Sequence, residues 1–389
     1  MKIAFLLLVG LSQDPVPDLV RELDAAPPGA VWEAAAKLEA LGPAALPAID
    51  AAAKRAEGRL RDYLGIVAAE IRNPTFPVRR VTLRATQRPS AEVMGLLVGK
   101  DEESLFGLEF LRQGEDQPPI DVDFRDLPRI QAVDVIAKAG NLAVESGDGR
   151  LVPLPEEYVD SLKFPWGHYL LKLTSLSLHK IVDFRKPAEE SFSLAMEGIW
   201  DPASGAIRLG SPRVLAARDD RGKSLVTRSE EAVEEDGGLS LALLPPSPDA
   251  AKIEILRGTV TARVCRTRRR FLLDKAALDA SAEREGWTLK VSRVDAKLGL
   301  LMLTLLAPGA DPGTLDGMPV SVHLSIQGRG ELRYSVAVAV QGERASIEVP
   351  FPVDIDGENT FLPEKIEVTL SIRVEERTIP FEFRDVPIR

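Results

Sequence analysis

Apolar and polar residues alternate along Ile120–Arg125, which predicts a strand with one buried face, because successive side chains of a strand point to opposite sides of the sheet. Asp126 stands where the N-cap of a following helix is expected, and Pro128 suits the first turn of that helix, where the backbone N–H has no intrahelical acceptor. Gly140 is predicted to end the helix in the left-handed conformation, and Asn141–Glu145 to return as a second strand.

A similar pattern stands thirty-nine residues earlier, between Val81 and Lys100. The equivalent positions are Val81, Leu83 and Ala85 against Ile120, Val122 and Phe124, with Pro89 against Pro128. Two such units predict a duplicated β-α-β module over residues 77–152.

This module resembles the secretin and TonB short N-terminal (STN) domain, whose units run as a strand, a turn with Asp-x-Pro character, a helix and a strand. The resemblance is carried by the paired patterns at Val81–Lys100 and Ile120–Glu145. It implies a docking domain of a bacterial envelope protein. The alternative is an unrelated α+β module.

Residues 13–76 are predicted to form a short helical cap. A lead-in that contains Pro and Asp covers residues 13–28, and the phrase A-x-x-L-x-x-L-G-x-x-A-x-P at Ala35–Pro47 resembles a HEAT repeat. A single repeat of this kind cannot form a solenoid, so we expect a HEAT-like cap that packs on the next module. The apolar faces of its three predicted helices are Trp32, Ala35, Leu38 and Leu41, then Leu46, Ile49 and Ala53, then Leu60, Leu64, Val67 and Ile71.

An apolar run, Ile3–Leu11, follows the N-terminal lysine. It has the length of a secretion signal and is too short to span a bilayer, and Gly10 and Ser12 supply small residues before a possible cleavage point. Residues 1–12 are therefore predicted to be a signal peptide of an exported protein, periplasmic or associated with the cell envelope, with no transmembrane segment in its mature chain. The alternative is a buried first strand of a cytosolic protein.

After Gly147–Gly149 the pattern becomes that of short strands with regular turns. The sequence thus predicts an α+β N-terminal part followed by an all-β part, with two antiparallel Ig-like sandwiches at residues 153–280 and 281–389. The alternating apolar positions are Leu176, Leu178, Val182 and Phe184; Trp287, Leu289 and Val291; Val320, Val322, Leu324 and Ile326; Leu332, Tyr334, Val336 and Val338; Ile366, Val368, Leu370 and Ile372; and Ile379, Phe381 and Phe383.

The order of an export signal, HEAT-like helices, an STN-like module, β-sandwiches and a closing TIPFEFRDVPI resembles that of secreted multidomain proteins of planctomycete-type bacteria. The resemblance implies an architecture and supplies no catalytic residues.

Charge and cysteine content exclude some classes of function. A net charge of −10 argues against a general nucleic-acid binder, because neutralising phosphates needs clustered Lys and Arg. Cys265 is the only cysteine, so the chain can form no intrachain disulfide and no thiolate metal cluster. Cys265 is predicted to be a small packing residue rather than a reactive thiol.

The sequence contains no recognisable catalytic, cofactor or metal motif. His168, His179 and His323 lie far apart in the chain, and G-x-S-x-G, H-E-x-x-H and C-x-x-C do not occur. Gly95–Glu102 departs from a P-loop in spacing, and Val353–Glu364 lacks two conserved features of a calcium loop, so a helix and a hairpin turn are the better interpretations. We therefore predict no catalytic, cofactor-binding or metal-ligating residue.

The densest charge feature is the arginine-rich segment, residues 263–270, which holds Arg263, Arg266, Arg268, Arg269 and Arg270. It is the candidate interaction patch, for an acidic partner, an anionic envelope polymer or the chain's own acidic loop at Ser229–Gly238. The alternative, which the pattern favours, is an edge strand that charge protects from pairing with other chains.

Three hypotheses of function follow. The first is a non-enzymatic exported scaffold or protein-interaction protein of the bacterial cell envelope, with a protein or an envelope polymer as its partner. The second is a carbohydrate- or polymer-binding protein, which predicts an exposed row of aromatic residues, although Trp32, Trp166, Trp200 and Trp287 favour core positions. The third is a hydrolase with a site assembled between domains, which predicts a His or paired carboxylates with a perturbed pKa.

Overall fold

The computed structural model describes residues 15–74, 76–98, 106, 119–147, 150–154, 156–181, 189–227, 234–235, 238–310, 315, 318–326, 330–336, 338–352 and 362–388. The predicted signal peptide, most of the acidic loop Ser229–Gly238 and most of Val353–Glu364 lie outside these residues. Within the described ranges, no helix has the length and apolar character needed to cross a membrane.

Helices form the N-terminal region. They are α1 (Val16–Ala25), α2 (Val31–Ala40), α3 (Leu46–Arg55) and α4 (Gly58–Arg72). The lead-in thus forms a helix of its own, which buries Leu23 completely. The three predicted helices are confirmed, and Gly42, with φ +69°, makes the turn between α2 and the short 3-10 helix that precedes α3.

The predicted duplicated β-α-β module stays a prediction, but in this region the structure describes two strand–helix units. They are β1 (Arg80–Pro89) with α5 (Ser90–Leu96), and β2 (Pro119–Pro128) with α6 (Arg129–Gly140), so each element starts thirty-nine residues after its counterpart. The two strands pair with each other in antiparallel register. Arg80 lies opposite Pro128 and Pro89 opposite Pro119, with Arg84 opposite Asp123 at the centre, so exchanging the copies leaves the register unchanged.

Two cap predictions in this module are wrong. Asp126 belongs to β2 and Pro128 occupies the N-cap position of α6, because the strand continues directly into the helix without a turn. Asn141, not Gly140, takes the left-handed conformation after α6, with φ +51°. A Cβ atom on Gly140 would lie 2.8 Å from the Cβ atom of Ser90, so this glycine permits close packing of α6 against α5.

Mostly antiparallel sheets follow, which confirms the predicted change to β structure. β3 (Ala143–Gly147) pairs with β4 (Arg150–Leu154). A five-stranded sheet has the order β5-β6-β7-β10-β9, where β5 is Leu162–Trp166, β6 Tyr169–Ile181, β7 Glu189–Trp200, β9 Glu234–Glu235 and β10 Gly238–Leu243. A second has the order β16-β15-β19-β11-β8, where β8 is Ala206–Asp219, β11 Lys252–Leu273, β15 Val320–Ile326, β16 Gly330–Val336 and β19 Lys365–Pro387. A third has the order β12-β13-β14-β18-β17, where β12 is Ser281–Arg284, β13 Trp287–Asp295, β14 Leu300–Leu306, β17 Val338–Gln341 and β18 Arg344–Pro350.

The chain divides into two compact units. Unit 1 comprises residues 1–204, 209–262 and 378–389, and unit 2 comprises 205–208 and 263–377. In unit 2 a continuous apolar core joins side chains of β13, β14 and β18 to those of β15 and β19, as in a sandwich of two sheets. The predicted domain boundaries stay a prediction, but these units differ from them, since β11 and β19 contribute residues to both.

Both long strands change their buried face between the units. In β11 the buried positions are even-numbered from Leu256 to Val264 and odd-numbered from Cys265, and in β19 they pass from Ile372 to Ile379 with the same change of phase. Arg373, with φ +55°, lies at the irregularity in β19. A one-residue slip moves every side chain to the other face, so one strand can serve two cores.

Candidate functional site

The arginine-rich segment lies in β11, within unit 2. As a whole, β11 lies between β19 and β8, so it is an inner strand of its sheet, while the edge predicted for residues 263–270 stays a prediction. However, β8 begins at Ala206, and the Cys265 amide donates to the Gly205 carbonyl oxygen at 2.8 Å. From Arg266 onward, β11 therefore continues past the first residue of β8.

Part of the segment is neutralised by β19. Arg266 Nε donates to Glu375 Oε2 at 3.0 Å, and the same oxygen accepts from Arg377 Nη2 at 3.2 Å. Arg270 forms an ion pair with Glu367. Glu375 and Glu367 are thus acidic partners of these two arginines, whereas most of the predicted acidic loop lies outside the described residues.

Arg269 is held by an acid and an aromatic ring. Its Nε donates to Glu285 at 2.9 Å, and its guanidinium carbon lies 4.2 Å from the ring centre of Trp287. Among the described residues, Arg263 and Arg268 have no carboxylate partner. The described residues around the segment therefore leave part of its positive charge unpaired.

The histidines stand on separate elements. His168 lies in the turn between β5 and β6, His179 in β6, and His323 in β15 opposite Glu367. A search of the described part of the chain finds no group of three or more His, Cys, Asp and Glu side chains that could hold a metal ion.

His168 lies against an acid. Its Nδ1 is 4.0 Å from Asp201 Oδ2, and its Nε2 is 2.8 Å from the Phe76 carbonyl oxygen. Asp201 also accepts from Arg129 Nε at 2.9 Å and from Arg129 Nη2. Arg129, His168 and Asp201 each expose 3% or less of their surface. The group joins the first residue of α6 to the β5–β6 turn and to the residue that follows β7.

Asp201 is held in its charged form. Burial alone would raise the pKa of this carboxyl, but the contacts with His168 and Arg129 hold the pKa well below its usual range. The backbone amide of Ala203 also donates to Asp201 Oδ1 at 2.8 Å. The Asp201 carboxylate is therefore stabilised by contacts with other residues of unit 1.

A carboxyl pair lies at the ends of two helices. Glu39 belongs to the last turn of α2 and Glu70 to the last turns of α4. Glu39 Oε1 is buried and has no hydrogen-bond partner among the described residues. Burial, and then the charge of Glu70, raise the pKa of Glu39 to about 8, so Glu39 carries a proton at neutral pH.

Tyr169 connects this pair to Asp201. Burial and the charge of Glu70 raise the pKa of Tyr169, and its hydroxyl is hydrogen-bonded to the Ser204 side chain. The Ser204 amide donates to the Asp201 carbonyl oxygen at 2.9 Å. We call these seven residues of unit 1 the buried polar chain: Tyr169, Ser204, Asp201, His168 and Arg129, which are buried, and Glu39 and Glu70, which are half-buried, with Glu70 acting on Glu39 and Tyr169 through its charge.

The buried polar chain has the residue types of acid–base catalysis, but its surroundings differ from those of an active site. A general acid or base must come within hydrogen-bond reach of a substrate. Tyr169 and Ser204 expose 4% and 2% of their surface, so the folded protein gives a substrate no direct approach to them. The arrangement instead ties together helices and strands of unit 1.

A second polar cluster in unit 1 is centred on Asp134 of α6. Lys163 Nζ donates to Asp134 Oδ2 at 2.8 Å, Tyr158 donates to Asp134 Oδ1 at 3.2 Å, and Lys172 Nζ lies 3.7 Å from the same Oδ1. Burial would lower the pKa of Lys163, but the bonds to Asp134 and Tyr158 raise it overall. A lysine nucleophile needs the neutral amine, so this cluster favours an ion pair over covalent chemistry.

The four tryptophans and the thiol are buried. Trp32, Trp166, Trp200 and Trp287 expose 8% of their surface or less. In unit 1 the rings of Trp32 and Trp166 lie 5.5 Å apart, centre to centre. Cys265 exposes 2% of its surface, as its predicted packing role requires.

The sequence interpretation missed the buried polar chain. One signal was present: Glu39 stands seven residues after Trp32, and Glu70 seven residues after Tyr63, so each acid falls on the apolar face of its helix. Arg129 and Asp201 gave no such signal, because they are seventy-two residues apart and meet only in the folded chain.

Comparison with family models, curated proteins and solved structures finds no match for this chain. The resemblances to STN domains, to HEAT repeats and to planctomycete-type secreted proteins therefore stay predictions.

Proposed function

We propose that the protein is a non-enzymatic scaffold or protein-interaction protein of the bacterial cell envelope, exported from the cytoplasm. The observation that carries this proposal is the use of the buried ionisable groups. In unit 1, Arg129 and Asp201 are each 2% exposed and join α6 to the residue after β7.

The protonation states support the same conclusion. Asp201 stays ionised against Arg129, and Lys163 stays charged against Asp134. Catalysis of the usual kinds needs an accessible base, acid or nucleophile with a pKa near the working pH. Among these groups only Glu39 has such a pKa, and its Oε1 atom is buried.

The hydrolase hypothesis keeps one observation in its favour, the protonated Glu39 beside Glu70, because a carboxyl pair with one raised pKa is a known acid–base arrangement. The carbohydrate-binding hypothesis has less support, since all four tryptophans are buried and form no exposed stacking row.

An activity test separates the scaffold from the hydrolase. The full-length protein and its Glu39→Gln and Asp201→Asn variants are incubated with chromogenic esters, phosphate esters, glycosides and peptides. We expect hydrolysis equal to the buffer blank for all three. Turnover by the wild type that a folded Glu39→Gln variant lacks would overturn the proposal.

A partner test follows in the native envelope fraction, with crosslinking and mass spectrometry of the tagged full-length protein. We expect a discrete macromolecular partner in the envelope fraction. Recovery of small soluble ligands alone, or of the protein only in the cytosol, would contradict the proposal.

A further inference from the structure

The charge balance around the arginine-rich segment is uneven. The segment and the adjoining Arg377 carry six guanidinium groups, and the ion pairs given for them among the described residues of unit 2 use the carboxylates of Glu285, Glu367 and Glu375. This local positive excess stands in a chain whose net charge is −10. An acidic partner would therefore be attracted to this part of unit 2 more than to the protein as a whole.

Arg263 and Arg268 are the side chains of the segment that a partner could use. Both are half-buried, so each keeps some accessible surface. Arg269 is occupied within unit 2 by the ion pair with Glu285 and by the Trp287 ring. Arg268 Nη2 and Arg269 Nη1 are buried, so the remaining nitrogens of Arg263 and Arg268 are the donors that could pair with a carboxylate.

The backbone around these side chains suits an extended chain. From Arg266 to Leu273, β11 continues past the first residue of β8. An extended peptide that lies along a strand adds main-chain hydrogen bonds and presents every second side chain to the same face. A phosphate polymer would use the charges but not the backbone.

We propose that the arginine-rich segment docks an extended acidic polypeptide, whose alternating carboxylates pair with Arg263 and Arg268. This inference rests on the proposed function, since it names the chemistry of the partner that a scaffold would hold. In the complex, carboxylates of the bound polypeptide pair with Arg263 and Arg268. The bound polypeptide runs along β11, which sets its direction.

The test uses the full-length protein and a fluorescein-labelled peptide of alternating Glu and Thr, about twelve residues long, with binding followed by anisotropy. The variant Arg263→Gln/Arg268→Gln removes two arginines that have no carboxylate partner among the described residues, so it breaks no ion pair given there. The matched control, Arg84→Gln/Arg88→Gln, removes the same charge from the exposed face of β1. We expect the segment variant to raise Kd about tenfold and the control less than twofold.

Two further probes define the partner class. A peptide of the same composition with its Glu residues in one block should bind more weakly than the alternating peptide, and raising the salt from about 50 to about 300 mM should weaken both. Equal binding by the segment variant and the wild type would overturn the inference. So would tighter binding of inorganic polyphosphate than of the alternating peptide. If a partner is crosslinked at another surface while the peptide fails to bind, the docking inference fails and the proposed function survives.

Discussion

Gln87 and Asp126 occupy the same position in the two copies of the repeat, and both have the left-handed backbone conformation, with φ of +51° and +47°. The Gln87 amide donates to Asp121 Oδ1 at 2.7 Å, and the Asp126 amide donates to Thr82 Oγ1 at 2.9 Å. Thr82 and Asp121 are themselves thirty-nine residues apart. The same irregularity, with the same kind of hydrogen bond, has therefore been kept in both copies.

Gln87→Gly and Asp126→Gly are each predicted to leave stability unchanged or to raise it, by up to about 1 kcal/mol. Glycine adopts a positive φ at no steric cost, which offsets its greater freedom in the unfolded chain. The control is Thr86→Gly, the neighbour of Gln87 within β1, which should lower the free energy of unfolding by about 1 kcal/mol. Urea unfolding measures all three. Equal losses of stability at positions 86 and 87 would contradict the left-handed conformation of Gln87.

The repeat shows what the sequence could and could not predict. The period of apolar residues located both strands and both helices, because burial of one face acts on every residue of an element. It did not predict that β1 and β2 pair with each other in antiparallel register, since alternation records which face is buried and not which strand lies beside it. The N-cap role of Asp126 was wrong for a related reason, because the strand runs on to Pro128 and leaves no turn.

Replacement of either member of the Arg129–Asp201 pair is predicted to cost about 3–5 kcal/mol, because the remaining charge stays buried without its partner. Arg129→Met with Asp201→Asn together should cost much less than the sum of the two single changes. A double-mutant cycle by urea unfolding measures the coupling. Additive losses would show that the two side chains act independently. The control pair Arg72–Asp50, which is half-exposed, should give a coupling below about 1 kcal/mol.

Sequence reasoning could not find this pair for a physical reason. Arg129 directly precedes the apolar Ile130 and Asp201 directly follows the apolar Trp200, so both sit beside core residues, but burial of a single charge is unfavourable and the partner must come from elsewhere in the chain. The identity of that partner depends on how α6 and the end of β7 meet, which local periodicity does not encode. The arginine-rich segment was visible, in contrast, because its charges are adjacent in one strand.

The stability of unit 1 is predicted to fall as the pH rises from about 4.5 to about 8, owing to Glu39. Its pKa is about 8 in the folded protein against an ordinary value of 4.5, so the folded state binds the proton more tightly than the unfolded state does. The stabilisation that protonated Glu39 contributes is fully present below pH 4.5 and is lost as the pH rises to the folded-state pKa of about 8. The total loss should be on the order of 2–4 kcal/mol.

Glu39→Gln should remove this pH dependence, since the amide stays neutral. The measurement is urea unfolding between pH 4 and 9 for the wild type, for Glu39→Gln and for Glu92→Gln, an exposed residue of α5 that should leave the slope unchanged. A wild-type slope that persists in Glu39→Gln would assign the pH dependence to other groups.

Gly258→Ala is predicted to destabilise unit 1 by about 3 kcal/mol. An added Cβ atom would lie 2.2 Å from the Arg213 carbonyl oxygen and 2.4 Å from Cζ of Phe381, and neither the backbone nor a fully buried ring can move aside cheaply. The matched control is Gly65→Ala in α4, where nothing lies within 4 Å of the new atom. That change should stabilise by about 0.5–1 kcal/mol, because alanine favours the helix. Thermal unfolding of the two variants should therefore shift in opposite directions, and a small loss at position 258 would mean that β11 and the Phe381 ring pack less closely than the structure describes.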